Sequence, residues 1–244
     1  MNKILLHIPH SSKEIPDCFW NNICQSKETI NKFVSDITDI NTDLLFSNNK
    51  YEKIVFPYSR VFCDVEKFDN EELEPMSTFG MGVIYSKTNL GLCFRKYNKE
   101  YNDMVLAKYY KPYHKNLNNK VENLLKENKY VVLVDCHSFS KNIIMIKENQ
   151  KNLPEICIGF NGTKDKLAKS CVQFFKNLGY KVKINYPYSG TMIPSKFLDN
   201  QNLKLKSIMI EINKKLYEKD PTSFNKIQQD INNLLNLIEH LNFD

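Results

Sequence analysis

The chain contains five histidines, at positions 7, 10, 114, 137 and 240. His10 and His137 each come shortly after a short apolar run, Ile4 to Leu6 and Val131 to Val134, and each is followed by a serine. Two imidazoles delivered at neighbouring strand ends, together with one carboxylate, make the three protein ligands of a catalytic zinc site that keeps a position open. No His-Glu-x-x-His pattern is present, so the ligands have to come from separated segments. The carboxylate is sought in Ser35-Asp-Ile-Thr-Asp-Ile-Asn-Thr-Asp43. Asp39 and Asp43 are four apart and share a face if this segment is helical. Asp36 is the third choice, and an acidic, solvated helix start is the alternative reading. Asp135, two residues before His137, is suited to orient an imidazole by accepting its second ring proton. Glu211 stands among Met209, Ile210 and Ile212, where a carboxylate must be paired, bind metal or shift its pKa.

The remaining histidines read differently. His7 is expected in the core or at a strand edge, His240 at the surface of a C-terminal helix, and His114, just after Pro112, in a position to orient a ligand. Of 34 Lys and Arg only two are arginine, Arg60 and Arg95. A chain that uses lysine almost everywhere keeps guanidinium where a flat two-pronged donor is needed, so both are candidates for gripping a carboxylate. Cys63 and Cys136 lie beside aspartates, and a neighbouring carboxylate raises a thiol pKa, which opposes nucleophilic use.

The elements that must position these groups alternate. Strands are expected at Lys3 to Ile8, Tyr51 to Phe56, Arg60 to Val65, Gly82 to Ser86, Tyr130 to Val134, Ile156 to Phe160, Tyr180 to Ile184 and Ser207 to Ile212. Helical segments are expected at Asp17 to Ser26, Glu28 to Phe46, Lys99 to Glu127 with an interruption near Pro112, Lys164 to Leu178, and from about Thr222. The last shows Ile227, Ile231, Leu234, Leu235, Ile238 and Leu241 at a period near 3.6. The pattern predicts an α/β fold, a single domain over residues 1–244 with a mixed, mostly parallel sheet flanked by helices on both faces. Ligands of such sheets gather at carboxyl ends of strands, where His10, Asp64 to Lys67, His137 and Asn185 are expected.

Composition excludes several classes. With 42% hydrophobic and 25% charged residues the 244-residue chain is globular, and no apolar run is long enough to span a bilayer. The net charge of +6 is dispersed as single lysines, without the basic stripe that nucleic-acid binding requires. Seven cysteines without a Cys-x-x-Cys pair read as free thiols of a reducing compartment. The N-terminus lacks the features of a signal peptide, and a cytoplasmic protein is expected.

Several segments carry a family resemblance: His7-Ile-Pro-His-Ser-Ser12, Thr38-Asp-Ile-Asn-Thr-Asp-Leu-Leu-Phe46, Ser59-Arg-Val-Phe-Cys-Asp-Val-Glu-Lys-Phe68, Glu74-Pro-Met76 and Gly80-Met-Gly-Val-Ile-Tyr85. Tyr109-Tyr-Lys-Pro-Tyr-His114, Asp135-Cys-His-Ser138, Asn185-Tyr-Pro-Tyr-Ser-Gly-Thr191 and Glu211-Ile-Asn-Lys-Lys-Leu-Tyr217 continue it. In this order they resemble the N-formylglutamate amidohydrolase family, within the zinc carboxypeptidase-like superfamily, over nearly the whole chain. The resemblance implies a zinc-exopeptidase-like fold and a Zn2+-dependent hydrolase (another divalent metal being an option) that cleaves the amide of an N-acyl acidic amino acid. N-formyl-L-glutamate is the default substrate, which suggests histidine degradation. It further implies His10, Asp39 and His137 as metal ligands and Glu211 as general base. Arg60 is expected to stabilise the oxyanion or bind a carboxylate, and Arg95, Lys67 and Asn185 to hold the amino-acid part. Tyr188 and Thr191 are expected to close over the substrate. Lys67 and Glu66 depart from the family's Asp-x-Asn-Arg stretch, and lysine lacks the fork. That departure keeps a peptide or cell-wall fragment open as an alternative substrate, and a catalytically silent binding module of the same fold is the reading from another class. Oligomeric state is not legible.

Overall fold

A computed structural model describes residues 3–70, 72–140, 152–198 and 204–243. The elements run β1 (Ile4–Ile8), α1 (Lys27–Ile37), α2 (Thr42–Leu45), β2 (Glu52–Val55), α3 (Lys99–Val105), α4 (Lys111–Glu127), β3 (Val131–Phe139), β4 (Ile156–Gly159), α5 (Lys166–Asn177), β5 (Val182–Ile184), β6 (Leu205–Asn213) and α6 (Pro221–His240). The chain divides into two compact units, Met1–Ile8 with Asn41–Ile54 and Asn118–Asp244, and Pro9–Ile40 with Val55–Leu117.

The first unit is built on a six-stranded sheet of order β2-β1-β3-β6-β4-β5. β1, β3 and β6 are parallel neighbours, as are β4 and β5, while β4 runs antiparallel to β6. The expected mixed, mostly parallel sheet is therefore present. Its register decides which residues share a face, because laterally paired residues point the same way. His7 pairs with Asp135, His137 with Glu211, and Glu211 with Cys157. One sheet face thus carries a polar row, His7, Asp135, His137 and Glu211, across three strands. The opposite face carries Leu6, Val134 and Ile208 in one lateral row and Ile210 with Ile158 in the next, all fully buried.

Helix ends follow local chemistry. Asp165 caps α5 through the Ala168 amide at 3.0 Å, and Gly179, at φ 86°, ends it in the left-handed region. Asp220 caps α6 through the Ser223 amide at 2.8 Å, with Pro221 in the first turn. The α6 stripe Ile227, Ile231, Leu234, Leu235 and Ile238 is buried, each side chain contributing about 1.5–3 kcal/mol. Among the described residues no helix is long and apolar enough to cross a membrane.

The second unit departs most from expectation. The segment Glu28 to Phe46 is not one helix: α1 stops at Ile37, and Asn41 takes φ 60° before α2. Thr38 is the C-cap of α1: its amide makes the last helical bond, to the Val34 carbonyl at 3.0 Å, its hydroxyl bonds the same carbonyl at 2.6 Å, and its backbone turns extended at φ −72° and ψ 135°. Arg60 to Val65 is a turn, wound by Phe62 and Cys63 amides that donate to the Ser59 carbonyl at 3.0 and 3.2 Å. Gly82 to Ser86 is likewise irregular. Between α3 and α4 a π-helical turn spans Leu106–Tyr110. Its cause is Pro112, which has no N–H to give the Lys108 carbonyl, so the ladder slips by one residue. The interruption was expected near Pro112 and precedes it.

Over the polar sheet face runs the loop Asn185 to Met192, and Gly159 lies beneath it. A Cβ at Gly159 would stand 2.3 Å from the Gly190 carbonyl oxygen and 2.3 Å from Met209 Cε. The Met209 methyl can swing away; the backbone oxygen cannot. Gly159→Ala is therefore expected to cost about 1–3 kcal/mol, read as a lower thermal midpoint by circular dichroism. An unchanged midpoint would refute this packing of the loop.

Candidate functional site

In the first unit the polar row is organised by Asp135, which is 1% exposed. Its Oδ1 meets His7 Nδ1 at 2.7 Å and His137 Nε2 at 3.0 Å, and its Oδ2 accepts the Met192 amide at 2.9 Å. Burial pushes the carboxyl up, but the His137 and His7 partners outweigh it and hold Asp135 well below the usual carboxylate range. His137 is not beyond its strand, as expected, but inside it, because β3 continues through Phe139. Nε2 of His137 is engaged by Asp135, which fixes the orientation of the ring. Glu211 is 5% exposed and also lies inside its strand, beside His137.

The loop carrying Asn185, Tyr188 and Thr191 is anchored on this row. Asn185, at φ 48°, accepts at Oδ1 from the Phe160 and Gly190 amides, at 2.9 and 3.3 Å, and donates Nδ2 to the Phe160 carbonyl at 3.1 Å. Its amide is thereby engaged in holding the loop. Thr191 Oγ1 lies 2.9 Å from Ser207 Oγ, and Tyr188 is 37% exposed on the loop.

In the second unit an equivalent arrangement surrounds His10. Its Nε2 meets Asp64 Oδ1 at 2.8 Å, while its Nδ1 faces Asp39 Oδ2 at 3.8 Å and Glu66 Oε2 at 3.6 Å. Asp39 reaches this position because the helix breaks: its amide donates to the His10 carbonyl at 2.9 Å. It does not share a helix face with Asp43, which lies in α2 of the other unit; Asp36 is exposed, and of the three only Asp39 is buried. Burial and Arg60 push the His10 pKa down, but Asp64 and Glu66 outweigh them, and it ends above its usual value.

Asp64 is fully enclosed and is the hub of this unit. Besides His10 it takes Arg60 Nε and Nη2 on Oδ2 at 3.1 and 2.9 Å, the Tyr85 hydroxyl at 2.7 Å, and the Glu66 amide on Oδ1 at 3.1 Å. Burial alone would raise its pKa; Arg60 and His10 keep it well below the carboxylate range. Two of the three Arg60 nitrogens are thus spent on Asp64, leaving Nη1. Lys67 Nζ lies 3.4 Å from Glu74 Oε1, so the lysine expected to hold a substrate carboxylate has a carboxylate of its own. Arg95 is enclosed against Phe19 and Tyr101, at 4.5 and 4.4 Å from the ring centroids, and offers no exposed surface to a substrate. His114 stacks on Tyr110 with ring centroids 4.2 Å apart. The orienting role of Asp64 was missed; its signal is the Arg60/Asp64 i,i+4 spacing, which reads equally as a surface pair.

The buried thiols Cys63 and Cys157 are poorly suited to act as nucleophiles. Burial and then the Asp64 charge push Cys63 up, and burial with the Glu211 charge pushes Cys157 up to about 12. All seven cysteines are free.

Both units carry His and carboxylate donors of the kind that hold a divalent cation. A fit to such an ion is tested by spacing: neighbouring ligand atoms around a tetrahedral zinc with bonds near 2.0–2.2 Å stand about 3.3–3.6 Å apart. His10 Nδ1 and its two carboxylate neighbours come close to this spacing, which is too long for hydrogen bonds. The nitrogen and oxygen donor set also suits zinc.

The comparisons agree on family and fold. The family model described as N-formylglutamate amidohydrolase matches residues 2–218. A crystal structure of N-formylglutamate amidohydrolase from Ralstonia eutropha JMP134 superposes with TM-score 0.82 at 20% identity, covering 98% of this chain and 93% of that one. A gene product of Agrobacterium tumefaciens superposes with TM-score 0.71 at 17% identity, covering 98% and 92%. No curated protein sequence matches the chain.

Two outcomes are expected. Asp64→Ala leaves the Arg60 charge, His10 and Tyr85 without their buried partner and should cost ~3–5 kcal/mol in urea unfolding, with Asp64→Asn milder; a loss under about 1 kcal/mol would remove Asp64 as the hub. In native labelling followed by mass spectrometry, Cys24 and Cys93 should react fast. Cys63, Cys136, Cys157 and Cys171, which are buried, should react only after unfolding.

Proposed function

Because the chain belongs to the N-formylglutamate amidohydrolase family, we propose that it is a metal-dependent hydrolase that splits N-formyl-L-glutamate into formate and L-glutamate. The proposal treats residues 1–244 as a single catalytic domain and assigns His10, Asp39 and His137 as ligands of a divalent cation, zinc by donor type. The observation that carries it is a repeated pairing. Each ligand histidine has Nε2 held by a buried aspartate, Asp64 for His10 and Asp135 for His137, which orients Nδ1 as the ligand nitrogen. This carboxylate–histidine arrangement is how proteins fix imidazoles that bind metal.

A cation held there supplies Lewis acidity and lowers the pKa of water. Glu211 takes the proton from the attacking water and returns it to the leaving amide nitrogen. Arg60, fixed through two nitrogens on Asp64, directs Nη1 toward the oxygen on which charge develops. Thr191 and Tyr188, on the loop above the polar row, contact the substrate. A position in cytoplasmic histidine breakdown belongs to the same proposal.

One observation favours a second substrate class. With Lys67 neutralised by Glu74, the carboxylate grip that the family makes at this position is weaker, which suits a different N-acyl amino acid or a short peptide.

The tests separate these readings. Purified protein should carry about one zinc or related ion per chain and lose activity on chelation; less than ~0.2 ion per chain with stability unchanged by chelators would sink both enzyme readings and leave a binding module. Turnover of N-formyl-L-glutamate is compared with a panel of acyl amino acids and short peptides, and no activity on any formylated amino acid would remove the first reading. Glu211→Gln should lower kcat about 10²–10⁴-fold while retaining metal; a substantial residual rate would take the base role from Glu211.

A further inference from the structure

In contrast to Arg60, no carboxylate among the described residues pairs with Arg95. In the second unit it is 3% exposed, and none of Nε, Nη1 and Nη2 has a hydrogen-bond partner among the described residues. The hydroxyl of Tyr101, itself buried, likewise makes no hydrogen bond of ordinary geometry among the described residues, and the two groups are near enough for each to shift the other's pKa. The two belong together: the Arg95 guanidinium carbon lies 4.4 Å from the Tyr101 ring centroid and 4.5 Å from that of Phe19.

Neither group is placed by accident. The Arg95 amide donates to the Ser86 carbonyl at 3.2 Å, and its backbone bridges Ile23 in antiparallel register. Tyr101 is fixed at the start of α3, where its amide donates to Asn98 Oδ1 at 2.9 Å. Ring faces attract the positive charge. They do not replace the hydrogen bonds that five N–H donors lose on leaving water. A buried charge is retained when a counter-charge completes it. Burial lowers the Arg95 pKa, and Tyr101 opposes that shift. Burial raises the Tyr101 hydroxyl to about 12, so it keeps its proton and can donate.

We propose that Arg95 and the Tyr101 hydroxyl form an enclosed receptor for one small monovalent oxyanion of the carboxylate class. Two guanidinium N–H groups match the two oxygens of a carboxylate, and the phenol supplies a third donor. Burial of both groups makes a small guest the one tested, and formate is the smallest of the class. A dianion would leave an uncompensated charge in a poorly solvated interior. The site does not rest on the proposed hydrolysis, and it is tested without substrate and after chelation.

Wild type, Arg95→Met, Arg95→Lys and Tyr101→Phe are exhaustively dialysed against sodium gluconate containing a chelator. Thermal midpoints are then followed as gluconate is replaced by sodium formate, chloride or sulfate at constant ionic strength, and bound [14C]formate is counted by equilibrium dialysis. Wild type should gain about 3 °C or more in a saturable response to formate, with one formate per chain. Arg95→Met should lose both, and Tyr101→Phe should need about tenfold more formate. Insensitivity of wild type, an equal response to sulfate or chloride, or an undiminished formate response in Arg95→Met each overturn the proposal. If Arg95→Met does not fold, Arg95→Lys and Tyr101→Phe decide it by the same criterion, weakened formate binding.

Discussion

A carboxylate buried in a sheet is tolerable only when its oxygens are satisfied, and Asp135 satisfies both by tying three separate parts of the chain together. One oxygen holds a histidine of its own strand and a histidine of β1; the other holds the backbone of the loop after β5. Removing any of these partners leaves charge in a low-dielectric setting, where the penalty is largest. The register of β1 on β3, the orientation of the His137 ring and the path of the Asn185 to Met192 loop therefore stand or fall together. Glu211 inherits its place from the same register, one strand further along.

The second unit solves the same problem with a different backbone. Asp64 sits on a turn, and it is satisfied by an imidazole, a guanidinium, a phenol and an amide. The turn brings Arg60 and Asp64 to the spacing at which a helix-like pair meets, and Tyr85 closes the shell from a segment that forms no strand. Both units thus present an imidazole whose far nitrogen is fixed by a carboxylate, which is why the catalytic reading rests on orientation as much as on residue type.

The arginine imbalance acquires a physical meaning in this setting. Arg60 is the cation of a buried network, where a lysine would offer one point charge instead of two aligned donors. Lys67 has a partner in Glu74 and is served adequately by a point charge. Arg95 is enclosed by aromatic rings, an environment that suits the weakly hydrated guanidinium better than an ammonium.

Much of the architecture was legible from the sequence by itself. The buried strands, the α6 stripe and the α5 stop at Gly179 depend on periodicity and on local capping, which a linear pattern records. His10, His137 and Glu211 stand out in the sequence by type, since histidine is scarce and a carboxylate among isoleucines is costly, while Asp39 is one of three aspartates in its segment. Only the tertiary structure decided how they are held. The break that presents Asp39 is made by a hydrogen bond to His10, far away in the chain, and no helical periodicity predicts it. The ring orientations depend on Asp64 and Asp135, reached across 54 residues from His10 and 128 from His7. The loop bonds of Asn185, the Glu74 partner of Lys67 and the aromatic enclosure of Arg95 are likewise invisible in the sequence. Residue type limits what a side chain can do; which of its donors are already spent is a property of the fold.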